Sequence, residues 1–243
     1  QAIGSGTHEA PTGSVIMDYR YHYDAAGNIT TRQTDDGDYQ YGYDLIDRLT
    51  RATPPESIQR NPADPQPGTL PDEAYTYDPV HNRTSSQHQP GPWTYNEDNQ
   101  LLNYGIGSDK HSFTYTANGH TETETTGDPA THTRTFSYNA AERLIEIKDN
   151  TQTIGQYRYD PMGRRIRKQT SEGITWFLYS DQGLIAELDG AGNPKRYYGW
   201  KPDGLWGTDP LWLADKHQAT WQTQLYHNDH LWTPQRLTDS EGS

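Results

Sequence analysis

Aromatic and polar residues alternate along this chain in short runs, as in Tyr39-Gln40-Tyr41, Phe113-Thr114-Tyr115 and Phe136-Ser137-Tyr138. A two-residue rhythm is that of a β-strand with one face packed and the other wet. Such runs end on tyrosine, and a turn-forming residue follows: Tyr23-Asp24, Tyr43-Asp44, Tyr77-Asp78, Tyr95-Asn96, Tyr115-Thr116, Tyr138-Asn139, Tyr159-Asp160 and Tyr179-Ser180. Asp24-Ala25-Ala26-Gly27-Asn28 and Asp160-Pro161-Met162-Gly163-Arg164 then place Asp at the head of a turn and Gly near its end. Aspartate accepts hydrogen bonds from the backbone just ahead, and glycine supplies positive φ at no steric cost. A second strand follows, such as Arg143-Leu144-Ile145-Glu146-Ile147-Lys148, so each unit reads as a β-hairpin.

The eight tyrosines recur at intervals of 18 to 23 residues, with one interval of 34. That period is too short for a helical-pair repeat and suits two strands and two turns. The pattern predicts an all-β chain of stacked hairpins. Tyr23, Tyr43, Tyr77, Tyr95, Tyr115, Tyr138, Tyr159 and Tyr179 are its expected packing anchors.

Composition sharpens this picture. Leu, Ile, Val and Phe together number 32 of 243 residues, below the roughly 20% under which disorder becomes the default. The 18 Tyr and 7 Trp are the counterweight, because each ring buries a large surface while keeping a polar tip wet. A thin sheet held by aromatic rows and cross-strand pairs is expected, without a thick aliphatic core. The net charge of −13 argues against nucleic-acid or anionic-membrane partners. There is no cysteine, hence no disulfide or thiolate site. No apolar stretch approaches the ~20 residues of a membrane-spanning helix.

Residues 1–14 read as a linker or lead-in, 15–239 as the repeat body and 240–243 as a tail. Within the body, 52–73 carries Pro54, Pro55, Pro62, Pro65, Pro67 and Pro71. Proline removes ladder donors, so this stretch reads as an irregular loop extending from a sheet edge. The segment 187–239 is rich in tryptophan. Trp200, Trp206, Trp212 and Trp221 read first as packing residues, and otherwise as a platform for glycans in an extracellular adhesion or carbohydrate-binding module.

Other chemistry is sparse. His227-Asn228-Asp229-His230, Asp35-Asp36-Gly37-Asp38 and Asn96-Glu97-Asp98-Asn99 hold potential metal ligands, but tight turns use the same residue types. No spacing singles out a carboxylate pair for glycoside hydrolysis, and nucleophile or phosphate-cradling motifs are absent. A non-enzymatic chain without cofactor or metal is expected. Eight units of two strands would make a sheet ~77 Å wide at ~4.8 Å per strand. So wide a sheet curls around a space its side chains cannot fill. Both ends of the sequence read as cut from a longer array.

The Tyr-Asp-x-x-Gly-Asn/Arg-Ile phrase at 23–29 and 159–166 resembles the YD repeats of RHS proteins. The segment from Tyr226 to Asp239 is similar to the signature near the end of the RHS core, with Trp232 where that family usually has glycine. The resemblance implies a spiralling, hollow β-hairpin shell. In bacterial members such a shell encloses a C-terminal toxin for delivery by a secretion system; Tc-toxin subunits do the same, and in teneurins the shell serves adhesion. It therefore implies a secreted or cell-surface location. The implied partners are a toxin or effector cargo and the remaining shell segments. The family's self-cleaving Asp-Pro-x-Gly motif lies beyond the terminal phrase. Asp160-Pro161-Met162-Gly163 sits inside an ordinary unit instead and is assigned no catalytic role.

Overall fold

The computed structural model describes all residues except 1, 7–10, 62, 63, 65, 88, 90, 218 and 243, with backbone alone for 2–6 and 11–15. The chain is all-β. Its strands are β1 (Ala2–Gly6), β2 (Pro11–Asp18), β3 (Arg20–Tyr23), β4 (Ile29–Thr34), β5 (Gly37–Tyr43), β6 (Leu49–Thr53), β7 (Glu73–Tyr77) and β8 (Arg83–Ser86). There follow β9 (Thr94–Tyr95), β10 (Leu101–Tyr104), β11 (His111–Tyr115), β12 (Thr121–Thr126), β13 (His132–Tyr138), β14 (Leu144–Asp149) and β15 (Gln152–Tyr159). The last are β16 (Arg165–Thr170), β17 (Gly173–Tyr179), β18 (Leu184–Leu188), β19 (Pro194–Trp200), β20 (Pro210–His217), β21 (Thr220–Asn228) and β22 (Pro234–Thr238). Short 3₁₀ turns at Glu56–Ile58 and Gly107–Asp109 are the helical elements among the described residues.

Two compact units divide the chain. One is Asp18–Thr135, and the other combines Gln1–Met17 with Phe136–Ser243. In the first, β3 to β8 form a six-stranded sheet in sequence order, and β9 to β13 pair successively. In the second, β14 to β22 pair successively. Every one of these pairings is antiparallel, as hairpin connections require.

Aromatic rows stabilise the sheets. In the first unit Tyr104 stacks on Trp93 at 5.0 Å and on His111 at 4.8 Å, while the Arg83 guanidinium lies 4.3 Å from the Trp93 ring. In the second, Arg196 pairs with Asp215 across β19 and β20, and the Tyr198 hydroxyl donates to Glu187 at 2.6 Å. The buried apolar side chains among the described residues are few: Met17, Tyr19, Pro54, Pro55, Trp93, Ala186, Pro210, Leu213 and Ala214. The expected absence of a thick aliphatic core holds.

Two segments depart from expectation. Residues read as a lead-in form β1 and β2, which make a two-stranded sheet. Their Gly, Ser and Thr content carries no aromatic rhythm, so nothing in the pattern marked them as strands. The proline-rich stretch does not extend away from an edge. It joins β6 and β7, which pair directly through Arg51 and Ala74, and folds back on the β4–β5 turn. Pro54 and Pro55 are buried, and Ser57 Oγ donates to the Asp36 carbonyl at 2.5 Å. Pro62 and Pro65 lie outside the described residues.

Candidate functional site

The repeated feature is the turn that follows each tyrosine, and Asp160 shows how it is built. Its backbone N–H donates to the Arg164 carbonyl at 3.0 Å, and its own carbonyl accepts from Gly163 N–H at 3.0 Å. The carboxylate accepts from Arg164 N–H at 2.9 Å and Nε at 2.7 Å. One side chain thus caps the loop that would otherwise leave backbone donors unpaired. Asp24, Asp44 and Asp78 repeat the arrangement. Asn96 and Asn139 achieve it with an amide oxygen, and Thr116 with its hydroxyl accepting from His120 N–H at 3.2 Å.

Glycine is the expected occupant of the left-handed position, yet the turn keeps its shape without it. Gly27 and Gly163 have φ of 93° and 88°, while Asp47, His81, Asn99, Glu142 and Trp232 hold φ between 59° and 71°. Each side chain there is held in a region that costs an L-residue roughly 1–2 kcal/mol. The turn at Trp232 makes the same bonds, with Trp232 N–H donating to the Asp229 carbonyl at 3.0 Å.

The tyrosine explains itself in the ladder. Between β4 and β5 the pairing stops at Thr31 and Gln40, at the end away from the β4–β5 turn. Beyond that pair the strands part, and the Ile29 carbonyl would lack a partner. Tyr43 Oη donates to it at 2.9 Å. The same bond runs from Tyr77 to Leu49 (2.5 Å), Tyr95 to Arg83 (2.6 Å), Tyr115 to Leu101 (2.6 Å), Tyr159 to Leu144 (2.8 Å) and Tyr179 to Arg165 (2.9 Å). The ring fills the gap between hairpins while the hydroxyl satisfies the exposed acceptor. A register shift at Tyr43, Tyr77, Tyr115, Tyr159 and Tyr179 marks the bulge that opens each turn. Tyr138 heads its turn in the same way, and burial raises its hydroxyl pKa. Tyr23 differs: it lies on edge strand β3 and is 55% exposed.

Neighbouring turns also touch. The residue after the left-handed position reaches forward: Asn28 Nδ2 donates to Asp47 Oδ1 at 2.7 Å and Asn82 Nδ2 to Asn99 Oδ1 at 3.0 Å. Arg48 donates to the Asp78 carbonyl at 2.9 Å and lies over the Tyr77 ring at 4.7 Å. In the second unit Arg164 covers Tyr179 at 5.1 Å.

These bonds set the electrostatics. The backbone N–H of Asn28 is the main influence holding the Asp24 carboxyl below its usual range. At Asp160, burial pulls the carboxyl upward, but the Arg164 side chain and backbone outweigh it and the carboxyl stays low. Burial raises the hydroxyls of Tyr43, Tyr95, Tyr115 and Tyr179, so these tyrosines act as neutral donors.

Each of the four tryptophans has a local partner. Trp200 takes the tyrosine's place, with Nε1 donating to the Leu184 carbonyl at 2.7 Å. Trp206 stacks on Tyr179 at 6.0 Å and donates to the Ser180 carbonyl. Trp212 lies on Gly199, where any Cβ would fall 2.0 Å from its indole nitrogen. Trp221 packs on Tyr197 at 5.0 Å. Two further turns depart from the tyrosine-led phrase. Asn228 Nδ2 donates to the Pro210 carbonyl at 2.8 Å in the tyrosine's role. Asp189 caps a turn through Ala191 and Asn193 N–H groups, although Leu188 precedes it. The one-period spacing of Trp200 after Tyr179 was a usable signal for the first substitution. The candidate metal runs serve local structure: Asn96 caps its turn, and His227 Nε2 engages Thr238 Oγ1 at 2.8 Å while Asp229 accepts from Leu231 and Thr233.

Antiparallel hairpins with side-chain-capped turns, tied to the preceding hairpin by a tyrosine hydroxyl at Tyr43, Tyr77, Tyr95, Tyr115, Tyr159 and Tyr179, define a β-repeat structural protein. The teneurin YD-shell family model matches residues 67–188, half of the chain. The chain belongs to that family. It is also similar to the crystal structure of TcdB2-TccC3-Cdc42, at 18% identity and a TM-score of 0.44 over 90% of this chain. For TcdB2-TccC3 without its hypervariable C-terminal region the values are 19%, 0.43 and 90%. This chain spans 12% of the length of each. No curated protein matches it in sequence.

Proposed function

We propose that this YD-shell segment is part of a wall enclosing a polypeptide cargo, a toxin or effector carried for delivery outside the producing cell. The observation that supports the reading most is the combination of family membership with sheets whose described residues are seldom buried. Such sheets bury few side chains and leave wide polar surface on which a cargo is held without being gripped. Further shell segments are the other partners, and the segment acts without catalysis or cofactor. The test uses the full polypeptide that carries this chain. A protease added to it should leave the enclosed cargo intact while degrading the same cargo made alone. Equal cleavage in both samples overturns enclosure.

A further inference from the structure

Two arginines, Arg158 and Arg167, stand face to face across β15 and β16. Directly opposed side chains share one face of a sheet with Cβ atoms about 5 Å apart, and like charges so placed repel. Elsewhere among the described pairings, fully charged side chains that oppose each other differ in sign: Glu124 with Arg134, Glu187 with Arg196, and Arg196 with Asp215. The arginine pair departs from that pattern in a chain with 33 acidic residues. Neither guanidinium meets a carboxylate among the described residues.

The surroundings of the pair are rich in donors. Arg167 lies 5.6 Å from the Trp176 ring and donates from Nη2 to Gln169 Oε1. With that oxygen engaged, the Gln169 amide is left with its two N–H groups. Arg158 is exposed and makes no side-chain bond among the described residues. Glu146 on β14 shares this face through its partner Gln156. It is already held by Lys148 at 3.3 Å and by Thr153 and Gln156 at 3.2 Å each.

We propose that Arg158 and Arg167 clamp a single carboxylate, the side chain of a glutamate or aspartate on another polypeptide segment. A guanidinium stays charged at every working pH, and its planar fork matches two carboxylate oxygens. One negative charge between the pair turns repulsion into two attractions. The overall charge of −13 favours a monoanion over phosphate or nucleic acid. Trp176, directly across from Arg167, gives the aliphatic stem of a glutamate an apolar surface to lie on.

The probe is the peptide acetyl-Gly-Glu-Gly-amide, titrated into the whole chain at constant ionic strength, with acetyl-Gly-Gln-Gly-amide as the neutral control. The Nε–Hε resonances of Arg158 and Arg167 should shift together and saturate with the first peptide and stay in place with the second. Arg158→Gln breaks no bond of the fold and should weaken the response at Arg167 about tenfold. A flat titration with the glutamate peptide overturns the proposal, as does an undiminished response in Arg158→Gln. A tighter response to inorganic phosphate overturns the choice of carboxylate. Enclosure of a cargo is a separate matter, and protection from protease stands or falls without this site.

Discussion

The turns at 160–164 and 229–233 share only their leading aspartate, yet they are bonded alike. Asp160 and Asp229 each donate a backbone N–H to the residue four ahead, at 3.0 and 2.9 Å. Each accepts from the residue in the left-handed position at 3.0 Å. That position is Gly163 in one turn and Trp232 in the other, with φ of 88° and 61°. The preceding residue ties the turn to its neighbour through a 2.8 Å bond in both, from Tyr159 Oη and from Asn228 Nδ2. What repeats is a set of hydrogen bonds, and several side chains can supply each one. The two turns differ in what else those side chains contribute.

That difference is largest at the tie. Tyr159 fills the gap between hairpins with a ring as well as a donor; Asn228 brings the donor with far less apolar surface. Tyr159→Ala should therefore lower stability by about 3 kcal/mol, as for a packed aromatic removed from a core. Asn228→Ala should lower it by about 1 kcal/mol, the worth of one hydrogen bond. Urea denaturation midpoints at neutral pH measure both. Equal losses would mean that the ring adds nothing beyond its hydroxyl, and the comparison would collapse.

The same distinction governs what was legible in the sequence. Tyrosine followed by Asp, Asn, Thr or Ser at a steady period exposed eight turns, because ring and cap are both spelled out in residue type. Where the tie passes to Trp200 or Asn228, or a leucine precedes Asp189, the bonds persist while the phrase dissolves. Strands β1 and β2 were invisible for a related reason: Ala2–Gly6 and Pro11–Asp18 lack alternating aromatics. The proline-rich stretch reads as irregular, since it interrupts the rhythm. Its return onto the β4–β5 turn depends on one contact each from Pro55 and Ser57, which no local pattern announces.

A smaller effect should appear at the left-handed position, with opposite signs in the two turns. Trp232 is 50% exposed and held at positive φ, so Trp232→Gly should raise stability by about 1 kcal/mol through relief of that strain. Gly163→Ala should cost about 1 kcal/mol or more, because its Cβ would also fall 2.3 Å from the Arg143 guanidinium. Thermal melts of the two variants decide the matter. A destabilised Trp232→Gly would show that the indole earns its place through the Lys201 ammonium 5.8 Å from its ring.

The smallest effect separates a charged cap from a neutral one. Asp160 and Asn139 each accept from the backbone N–H four residues ahead, at 2.9 and 3.0 Å, but only Asp160 can titrate. Its carboxyl pKa lies below the ordinary 3.8 in the folded chain, where contacts from Arg164 prevail over the opposing effect of burial. A carboxyl depressed on folding stabilises fully above its unfolded value, and that stability is lost as the pH falls through the folded value. Asp160→Asn should keep the turn, as Asn139 does, while removing one titrating group. The fall in melting temperature from about pH 4 to about pH 2 should then be shallower than in the wild type, with the neutral-pH melt lowered by loss of the 2.7 Å Arg164 pair. An unchanged acid slope would mean that the charge on Asp160 contributes nothing, and that the two kinds of cap are equivalent at every pH.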